Sequence, residues 1–394
     1  MRKIKFYTLG CKVNQYDTQS IRERFLSRAF KEAGRDKKAD IYLINTCTVT
    51  SSADRKSRNI IRSCIRENPG AEVIVTGCLV SKDRDMLSAI KGVSLIISKS
   101  FFPDGVTDFK GHTRAFLKVQ DGCNNFCSYC KVPLVRGRSR SKPLEFVIRE
   151  AKNLAGKGFK EIVLTGICLG AYGKDLGKGS IDLASLIDEL EKIKGLLRIR
   201  LSSIEAGDIT ERLISRIAKS GKLCPHLHIP IQSGDNDILK KMKRKYTHES
   251  YLALINKIKE KAPEVAITTD CLVGFPGENE NNFRNTLSLI KKINPLRVHV
   301  FPYSPRQGTL AASCFKMQLP KEILNERIKR LGLLAKGCRL RFQEKFKNKR
   351  LPVLFESISK ERGGYWEGYT GNYIKVYHKS KKPLKNQLVN IKLK

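Results

Sequence analysis

The stretch "AFLKVQDGCNNFCSYC" (residues 115–130) joins a strand-like apolar run to three closely spaced cysteines, Cys123, Cys127 and Cys130. After it, five more strand-like runs alternate with amphipathic helical stretches as far as residue 303. Repeated βα units predict a parallel sheet, and six of them can form an open or partial barrel with its site over the strand carboxyl ends. We therefore expect the three cysteines at the mouth of this barrel.

The alternation of strand-like and helix-like apolar periodicity along this region predicts the elements of a partial (β/α)6 barrel. Strands are predicted at residues 115–119, 161–165, 198–202, 226–231, 266–273 and 297–303. Helices are predicted between them at residues 144–155, 183–193, 209–218, 251–261 and 280–293. The fold class that follows is α/β.

A second set of cysteines ends three strand-like runs nearer the N-terminus. The run "KIKFYTLGC" ends at Cys11, "ADIYLINTC" at Cys47 and "AEVIVTGC" at Cys78. Their separation of roughly 30 residues is that of βαβ units, with helices predicted at residues 18–33 and 53–67. Parallel strands place their carboxyl ends on one edge, so this Rossmann-like domain is predicted to gather the three thiols into a metal site.

The charge of the chain is strongly positive. Lysine and arginine total 76 residues against 38 aspartates and glutamates, a formal net charge of +38 that is spread along the sequence. Phosphate backbones are the usual partner of such an excess, which predicts nucleic-acid binding. A lysine-rich source proteome is the alternative explanation.

The cysteine content and the lack of long apolar runs indicate a cytoplasmic protein with no membrane segment. No signal-peptide pattern begins the chain, and no 18 apolar residues run together. Cytosolic thiols stay reduced, so clustered cysteines indicate metal or catalysis. Six of the twelve cysteines stand alone and are interpreted as buried or tolerated thiols: Cys64, Cys168, Cys224, Cys271, Cys314 and Cys338.

Changes in composition divide the chain into three domains and a linker. Residues 1–100 form the N-terminal domain, residues 101–113 the linker, residues 114–335 the barrel and residues 336–394 a C-terminal domain. From about residue 345 short strand-like pieces interleave glycine and aromatic residues with lysine. This pattern predicts a small β-barrel that binds nucleic acid, the alternative being an appendage that merely packs on the larger barrel.

Three cysteines in the loop after the first barrel strand leave a metal centre one ligand short. A four-iron cluster held by three thiolates keeps one iron for an exchangeable ligand. Structural zinc sites are built mainly from pairs of ligands, and no second pair lies close by; His112 is too far back in the linker. A fourth cysteine from elsewhere, such as Cys168, remains open.

The motifs of the chain resemble those of the radical S-adenosylmethionine methylthiotransferases. They are "YTLGCKVNQYDT", "INTCTVTSSADRKSR", "QDGCNNFCSYC" with "RGRSRS" behind it, "EIVLTGI", "SSIE", "CPHLHIPIQSGD", "TTDCLVGFPGE" and "HVFPYSPRQGT". Within the family they are similar to the tRNA threonylcarbamoyladenosine branch, and the C-terminal segment resembles its RNA-binding TRAM barrel. The sister branches usually lack the "CKVNQYDT" run.

The resemblance implies two [4Fe-4S] clusters and two molecules of S-adenosylmethionine per turnover. Cys123, Cys127 and Cys130 would hold the radical cluster, whose open iron takes S-adenosylmethionine, while Cys11, Cys47 and Cys78 would hold an auxiliary cluster that carries the sulfur. One S-adenosylmethionine yields a 5′-deoxyadenosyl radical that removes hydrogen from adenine carbon 2, and the second methylates the inserted sulfur. The product would be 2-methylthio-N(6)-threonylcarbamoyladenosine at position 37 of tRNA.

The resemblance also implies an electron donor such as flavodoxin or ferredoxin and a sulfur donor that the sequence does not identify. Tyr129 matches the aromatic position that contacts the adenine of the cofactor. Further cofactor contacts are predicted at strand ends, where ordinary turns and helix caps are the alternative: Thr165, Gly166, Ser203, Gln232, Gly274 and Glu278.

Substrate contacts are predicted from chemistry. A threonylcarbamoyl group carries a carboxylate, for which a bidentate arginine is the best geometric match, and Arg306 follows the sixth strand. Tyr365, Trp366 and Tyr373 offer faces on which bases can stack. Three arginines behind the cysteine loop are predicted to bind phosphate: Arg136, Arg138 and Arg140.

Two other functions compete with this interpretation. A methylthiotransferase of a sister branch would act on isopentenyladenosine tRNA or on a ribosomal protein. A non-catalytic zinc and nucleic-acid-binding protein would explain the charge and the C-terminal barrel, but not a six-unit barrel with an unpaired cysteine triplet at its mouth.

Overall fold

The structure is a computed structural model that describes residues 1–34, 36–98, 105–109, 111–177, 181–314 and 319–393. Residues 101–104 and 110 of the predicted linker lie outside the described residues. No helix in the described ranges combines the length and the apolarity needed to cross a bilayer.

The strands that end in cysteine form the centre of a five-stranded parallel sheet. Its order is β2-β1-β3-β4-β5, and β3 is buried at every residue. Thr8 pairs with Asn45 and Thr46 with Gly77, so the three central strands end at one edge. The elements are β1 (Lys3–Thr8), α1 (Lys12–Leu26), β2 (Lys31–Glu32), β3 (Ile41–Thr46), α2 (Ser51–Glu67), β4 (Glu72–Gly77), α3 (Arg84–Ser88) and β5 (Leu95–Ile96).

The first helix differs from its prediction. It begins at Lys12 rather than residue 18 and ends at Leu26, and residues 31–32 form the edge strand β2. Polar residues of the first turns, among them Asn14 and Asp17, are buried against other parts of the protein. The first turns of α1 bury polar residues, so apolar periodicity could not show where this helix begins.

Six parallel strands form the predicted partial barrel. Sheets of order β10-β9-β6 and β11-β12-β13 are joined by the parallel bridges Ile199 to Leu223 and Ser203 to His228. The strands of this region are β6 (Arg114–Lys118), β7 (Gln120–Asp121), β8 (Arg140–Ser141), β9 (Glu161–Thr165), β10 (Arg198–Leu201), β11 (His226–His228), β12 (Ala266–Val273) and β13 (Arg297–Pro302). Strand β11 is shorter than predicted, because Pro230 has no N–H and Gln232 adopts a positive φ of 61°.

Helices cover the outside of the barrel. They are α4 (Val132–Arg136), α5 (Leu144–Gly156), α6 (Leu183–Glu191), α7 (Glu211–Lys219), α8 (Asn236–Lys241), α9 (His248–Lys261), α10 (Glu280–Ile293), α11 (Leu310–Cys314) and α12 (Lys321–Glu344). Alternate strand residues such as Ile162, Leu164 and Ile267 join the large apolar core under these helices. The residues between them, such as Glu161, His226 and Thr268, make polar contacts with one another and with their neighbours, so the barrel interior is polar.

The C-terminal segment is a curled four-stranded antiparallel sheet of order β16-β15-β14-β17. Its strands are β14 (Arg350–Ile358), β15 (Tyr365–Thr370), β16 (Lys375–Lys379) and β17 (Leu388–Lys392). Phe346, Val353 and Phe355 form its apolar core together with Phe342 of α12 and Leu296. The predicted domain boundary at 335/336 falls inside α12, a continuous amphipathic helix, so this sheet begins only after residue 344.

The C-terminal sheet closes the amino end of the barrel. Arg198 Nη1 donates to Tyr369 O at 3.0 Å, and Arg200 donates to Gly371 O at 2.9 Å and Thr370 O at 3.2 Å. Arg200 is 1% exposed. Buried guanidinium groups need these acceptors, so the sheet is part of the barrel's structure.

A buried ion network joins the N-terminal domain to the barrel. Lys118 Nζ of β6 lies 2.6 Å from Asp17 Oδ1 of α1 and 3.0 Å from Asp121 Oδ2. Arg136 Nη1 lies 2.8 Å from Asp121 Oδ1, and its Nη2 lies 3.6 Å from Asp17 Oδ2. Burial lowers the pKa of Lys118, but Asp17 and Asp121 outweigh it, so the net shift is upward and the ammonium stays charged.

Replacing Lys118 with methionine should lower the free energy of unfolding by about 3–5 kcal/mol, because it leaves buried carboxylates with one cation fewer. Urea titration followed by circular dichroism measures the loss. The control is Lys192→Met, which breaks the exposed Lys192–Glu189 pair and should change stability by less than about 1 kcal/mol. If the two substitutions lower the free energy of unfolding equally, the buried network stabilises the protein no more than an exposed ion pair does.

Candidate active site

Cys11, Cys47 and Cys78 follow β1, β3 and β4 and meet at the carboxyl edge of the N-terminal sheet, as predicted. Gly10 has a φ of +97°, and a Cβ there would lie 2.8 Å from Cys47 Sγ. A glycine is therefore needed for the chain to turn from β1 toward Cys11 while passing this close to the Cys47 thiol.

Asn14 ties the ends of these strands together. Its Nδ2 donates to Leu9 O at 2.7 Å and Thr46 O at 3.0 Å, and its Oδ1 lies 3.9 Å from Cys78 Sγ. Arg136 also donates to Asn14 Oδ1, which links this edge to the ion network. Sequence analysis did not single out Asn14, although it lies in the "CKVNQYDT" run.

Burial keeps the Cys47 and Cys78 thiols of this edge protonated at neutral pH as long as no metal is bound. Burial raises the pKa of Cys47 and of Cys78 to about 11 each, and Arg136 partly offsets the effect at Cys78. Buried thiols become thiolates when a metal ion replaces their protons. The donor set, three cysteines and no other ligand type, fits an iron–sulfur cluster.

Cys123, Cys127 and Cys130 lie in the loop between β7 and α4, at the barrel mouth, as predicted. The Cys130 amide donates to Cys127 O at 3.0 Å, which curls the loop. Burial raises the pKa of Cys130 to about 12. Arg244 Nη1 lies 3.3 Å from Cys127 Sγ and pairs with Glu205, so a guanidinium accompanies the thiols.

Cys168 is buried, as predicted, and lies beside this triplet, where the sequence left a fourth cysteine open. A hydrogen bond from Cys168 lowers the pKa of Cys123 to about 7. The Cys168 sulfur also lies 3.3 Å from Asp208 Oδ2 and 3.7 Å from Asn125 Nδ2. The pattern "TGIC" carries no periodic signal that would place it there. The other isolated cysteines match their prediction: Cys64, Cys224, Cys271 and Cys338 are buried and Cys314 is exposed.

A cavity of about 450 Å³ opens next to the barrel triplet. Cys127, Cys168 and Arg244 line it together with Glu205 and Asp208. Its volume suits a nucleoside-sized ligand. Tyr129 packs against Met242 and Phe275 on the inner side of the loop. The cavity volume and its position beside the triplet fit S-adenosylmethionine, whereas Tyr129 is not among the residues that line the cavity and its contact with the cofactor stays a prediction.

The predicted contacts after β9 and β10 lie at the barrel mouth. The Gly166 amide donates to Ser202 Oγ at 3.4 Å, and a Cβ on Gly166 would lie 2.9 Å from Gln120 Oε1. Thr165 donates its hydroxyl to Val163 O, so that hydroxyl is used within its own strand. Ser203 lies opposite His228 in the bridge between the two half-sheets.

The predicted contacts after β11 and β12 divide into two kinds. The Gln232 amide donates to Asp270 O, and its positive φ turns its side chain away from the regular strand direction. Glu278 is 3% exposed, accepts from the Gly274 amide at 2.8 Å and pairs with Arg327 at 2.9 Å. The carboxylate of Glu278 therefore holds the Gly274 turn, and its predicted role as a cofactor contact is not supported.

Arg306 has a different partner from the predicted substrate carboxylate. Its Nη2 lies 2.5 Å from Asp54 Oδ2 and 2.9 Å from Thr48 Oγ1, and its Nη1 lies 3.0 Å from Ser51 Oγ. The residue is 4% exposed. It connects the barrel to the N-terminal domain, because Asp54 of α2 already supplies its counter-charge.

Other predicted contacts also have partners within the protein. Arg136 belongs to the ion network and is not available to phosphate, whereas Arg138 and Arg140 are exposed. Tyr373 stacks on His226 with a centroid distance of 4.7 Å inside the amino end of the barrel, so its face is not free for a base. Trp366 packs against the apolar core of the C-terminal sheet, and Tyr365 is half-buried beside it.

A chain of polar side chains lines the inner face of β11 to β13. His228 Nε2 lies 3.2 Å from Asp270 Oδ2, and His299 Nδ1 lies 3.1 Å from Asp270 Oδ1. Ligand atoms of the three residues lie within 4.8 Å of one another, as a metal site requires. Thr268 Oγ1 lies 2.9 Å from the other ring nitrogen of His228, Nδ1. Both histidines lower the pKa of Asp270 far below its ordinary value despite its burial.

Comparison with known proteins gives two family matches and many relatives. The radical SAM superfamily model matches residues 117–290, and an uncharacterized family named UPF0004 matches residues 3–98. The solved structure of the radical S-adenosylmethionine methyltransferase TsrM from Kitasatospora setae aligns with a TM-score of 0.57 at 13% identity, over 79% of this chain and 76% of its own. The cobalamin-dependent enzyme OxsB aligns with a TM-score of 0.53 at 11% identity, over 85% and 56%.

Among proteins of known function, threonylcarbamoyladenosine tRNA methylthiotransferase MtaB of Bacillus subtilis is 39% identical over all of this chain and 94% of its own length. MtaB of Aquifex aeolicus is 39% identical over 89% of this chain and 92% of its own. A tRNA-2-methylthio-N(6)-dimethylallyladenosine synthase of Geobacillus kaustophilus is 35% identical over 100% and 80%.

The barrel and the superfamily match define a radical S-adenosylmethionine enzyme, a class that works with S-adenosylmethionine and a [4Fe-4S] cluster. The full-length identity to its relatives then decides the family: this chain belongs to the radical S-adenosylmethionine methylthiotransferases. The predicted fold class and the predicted enzyme class are both confirmed.

Replacing Gly10 with alanine should displace Cys47, because the new methyl group meets its sulfur. We expect the anaerobically reconstituted variant to lose iron and to be less stable. The control is Gly158→Ala, since Gly158 has a similar φ of +89°, no described atom lies within 4 Å of an added Cβ there, and only the backbone strain of roughly 1–2 kcal/mol applies. Iron analysis and thermal unfolding measure both effects. Full iron in the Gly10 variant would contradict the close approach.

Proposed function

We propose that this chain converts N(6)-threonylcarbamoyladenosine at position 37 of tRNA to its 2-methylthio derivative. The observation that carries the proposal is the pairing of two cysteine triplets, one at the edge of the N-terminal sheet and one at the barrel mouth, through the buried ion network. A single metal-binding site would need neither the second triplet nor the network.

Each triplet has a separate role in the proposal. Cys123, Cys127 and Cys130 hold the cluster that meets S-adenosylmethionine in the adjoining cavity. Cys11, Cys47 and Cys78 hold the auxiliary cluster. When bound, these groups supply a radical for carbon 2 of the adenine and the sulfur that is inserted there. The protein's part is to orient the two centres toward one base.

The branch of the family is proposed from the polar inner wall of the barrel. His228, Asp270 and His299 offer hydrogen bonds and charge, which suit the carboxylate, hydroxyl and ureido groups of a threonylcarbamoyl substituent. An isopentenyl substituent has no polar group that could form a hydrogen bond with this wall, so it would gain less from binding there. The higher identity to the threonylcarbamoyladenosine enzymes points to the same branch.

Exposed positive charge supports tRNA as the partner. Five basic residues of α2 form no ion pair with any described residue: Arg55, Lys56, Arg58, Arg62 and Arg66. The end of β16 and the loop after it carry four exposed lysines that are likewise unpaired within the described ranges: Lys379, Lys381, Lys382 and Lys385. Both surfaces suit a phosphate backbone. We place the protein in the cytoplasm with tRNA, served by an electron donor such as flavodoxin or ferredoxin.

Replacing each cysteine triplet separately should separate the two roles. With Cys11, Cys47 and Cys78 changed to alanine, we expect about four irons instead of eight, since one three-thiolate cluster remains. That variant should still cleave S-adenosylmethionine when reduced, yet form no methylthio nucleoside. Changing Cys123, Cys127 and Cys130 should abolish both activities.

Iron analysis and mass spectrometry of tRNA nucleosides after anaerobic reconstitution provide the measurements. The control replaces three cysteines of the apolar cores with alanine: Cys64, Cys224 and Cys338. It should retain all iron. If the N-terminal variant still makes methylthiolated tRNA, the strand-end cysteines are structural, and a product on isopentenyladenosine alone would move the chain to the sister branch.

Changing the four lysines of the β16–β17 loop to alanine should weaken tRNA binding and make it less sensitive to salt, by roughly one unit of slope per lost phosphate contact. S-adenosylmethionine cleavage should persist, because the loop is remote from both triplets in the fold. Filter binding across a salt series measures the effect. A matched set on the outer helices α5 and α10 is the control: Lys152, Lys157, Lys291 and Lys292. If both sets of substitutions change the tRNA affinity and its salt dependence equally, the loop does not contact the RNA.

A further inference from the structure

Two histidines and an aspartate meet on the inner face of β11, β12 and β13. His228 Nε2 lies 3.2 Å from Asp270 Oδ2, and His299 Nδ1 lies 3.1 Å from Asp270 Oδ1. Metal–ligand bonds of about 2.0–2.2 Å place neighbouring ligand atoms about 3.0–3.5 Å apart, so both measured separations are those of a metal site. One ligand atom from each residue lies within 4.8 Å of the others, and a small closing movement brings all three onto one ion.

The surroundings fix the His228 ring in the orientation that metal binding needs. Thr268 Oγ1 lies 2.9 Å from His228 Nδ1, which leaves Nε2 directed at Asp270. A ligating histidine commonly donates its second ring N–H to an oxygen of the protein, and this fixes the tautomer that has a lone pair for the metal. Thr268 is 3% exposed and supplies that oxygen. Its own hydroxyl hydrogen can go to His226 Nε2, at 3.0 Å.

The three side chains are open to the barrel interior on the side of the cysteine loop. His228 ends β11 and pairs with Ser203, which follows β10. Two residues further on, Glu205 lines the 450 Å³ cavity beside the barrel triplet. The side chains of His299, Asp270 and His228 are 43%, 22% and 16% exposed. Three protein ligands with one open side leave positions on an ion for a ligand from solvent or substrate.

The charge of Asp270 makes a cation necessary if the substituent of the proposed substrate lies here. Burial alone would raise the pKa of Asp270, but hydrogen bonds with His228 and His299 lower it on balance, so the carboxylate is ionised at neutral pH. A threonylcarbamoyl carboxylate facing it adds a second negative charge, and like charges repel strongly in a partly buried site. The guanidinium carbon of Arg297, on the same strand as His299, lies 5.9 Å from the Tyr373 ring at the amino end of the barrel. A divalent ion between the two carboxylates would convert the repulsion into attraction.

We propose that His228, Asp270 and His299 bind one divalent transition-metal ion, whose open positions take the carboxylate of the threonylcarbamoyl group. Imidazole ligands with a single carboxylate favour Zn²⁺ or Fe²⁺ over Mg²⁺ and Ca²⁺, which prefer sets of oxygen ligands. The metal site stands on the geometry of the three residues, whereas its substrate ligand rests on the proposed function. The site is separate from both cysteine triplets.

Binding of Mn²⁺ to the reconstituted enzyme tests the metal site. Mn²⁺ accepts the same nitrogen and oxygen ligands, and its free form gives a six-line EPR signal that loses intensity on binding, while resting [4Fe-4S] clusters give no signal. We expect one Mn²⁺ per chain, retained against an excess of Mg²⁺. Asp270→Asn keeps the shape of the side chain and should weaken binding by at least about tenfold, because a lost charged ligand costs more than a lost outer partner.

His299→Gln gives a second measurement, since an exposed residue of the last barrel strand can change without loss of the fold. It too should weaken Mn²⁺ binding by about tenfold or more. The control Asp237→Asn changes an exposed aspartate of α8 and should leave Mn²⁺ binding intact. Equal Mn²⁺ affinity of the wild type, Asp270→Asn and His299→Gln overturns the metal site, and so does displacement of Mn²⁺ by Mg²⁺.

Binding of anticodon stem-loop RNA, followed by fluorescence anisotropy, tests the substrate role. One RNA carries N(6)-threonylcarbamoyladenosine at position 37 and the other its methyl ester, which removes only the charge. With Mn²⁺ bound, the wild-type enzyme should prefer the acid by roughly tenfold or more, the scale of a contact between charged groups. Without Mn²⁺ it should prefer the ester, because the acid then faces Asp270 alone. Asp270→Asn should make the preference independent of Mn²⁺.

The outcomes separate the metal site, its substrate role and the proposed function. A wild-type preference for the acid that does not depend on Mn²⁺ overturns the substrate role while the metal site stands, and equal binding of acid and ester in the presence of Mn²⁺ does the same. A wild-type preference for isopentenyladenosine RNA over both overturns the proposed function itself, and Mn²⁺ binding by the three residues is then a separate result.

Discussion

The buried network of Lys118, Arg136, Asp17 and Asp121 sets the relation between the two halves of this molecule. Two cations and two carboxylates with almost no exposure neutralise one another, and removing any one leaves a charge in a medium that solvates it poorly. Helix α1 must therefore dock on β6 in one register. Because Cys11 precedes that helix and Cys123 follows Asp121, the network also fixes the relative placement of the two cysteine triplets.

A polar side chain at the carboxyl edge of the N-terminal sheet connects the strand ends to the ion network. Asn14 holds the carbonyl groups of two strand ends, approaches the Cys78 sulfur and receives a hydrogen bond from Arg136. One side chain thus connects strand geometry, a thiol and the interdomain contact. Another connection runs from Asp54 of α2 to Arg306 beyond β13, so the N-terminal domain also contacts the barrel away from the ion network.

The C-terminal sheet is part of the barrel's structure and is not an appendage that only packs on it. Its turn at residues 369–371 supplies carbonyl groups to Arg198 and Arg200, and Tyr373 enters the barrel among further cations. The RNA-binding surface that we propose at the end of β16 and in the loop after it is therefore attached directly to the wall of the barrel.

The sequence by itself determined the six barrel strands, the parallel N-terminal sheet and the two cysteine triplets, because apolar periodicity and strand-end position are local properties. It did not determine what the polar residues do. Arg306, Glu278, Arg136 and Tyr373 were each predicted to meet a ligand, and each instead meets the protein, since its partner lies far along the chain. Cys168 shows the converse: its sequence neighbourhood left its role open, and the folded chain places it beside the barrel triplet. Partners of buried charges are chosen by three-dimensional proximity in a low-dielectric interior, which only the tertiary structure decides.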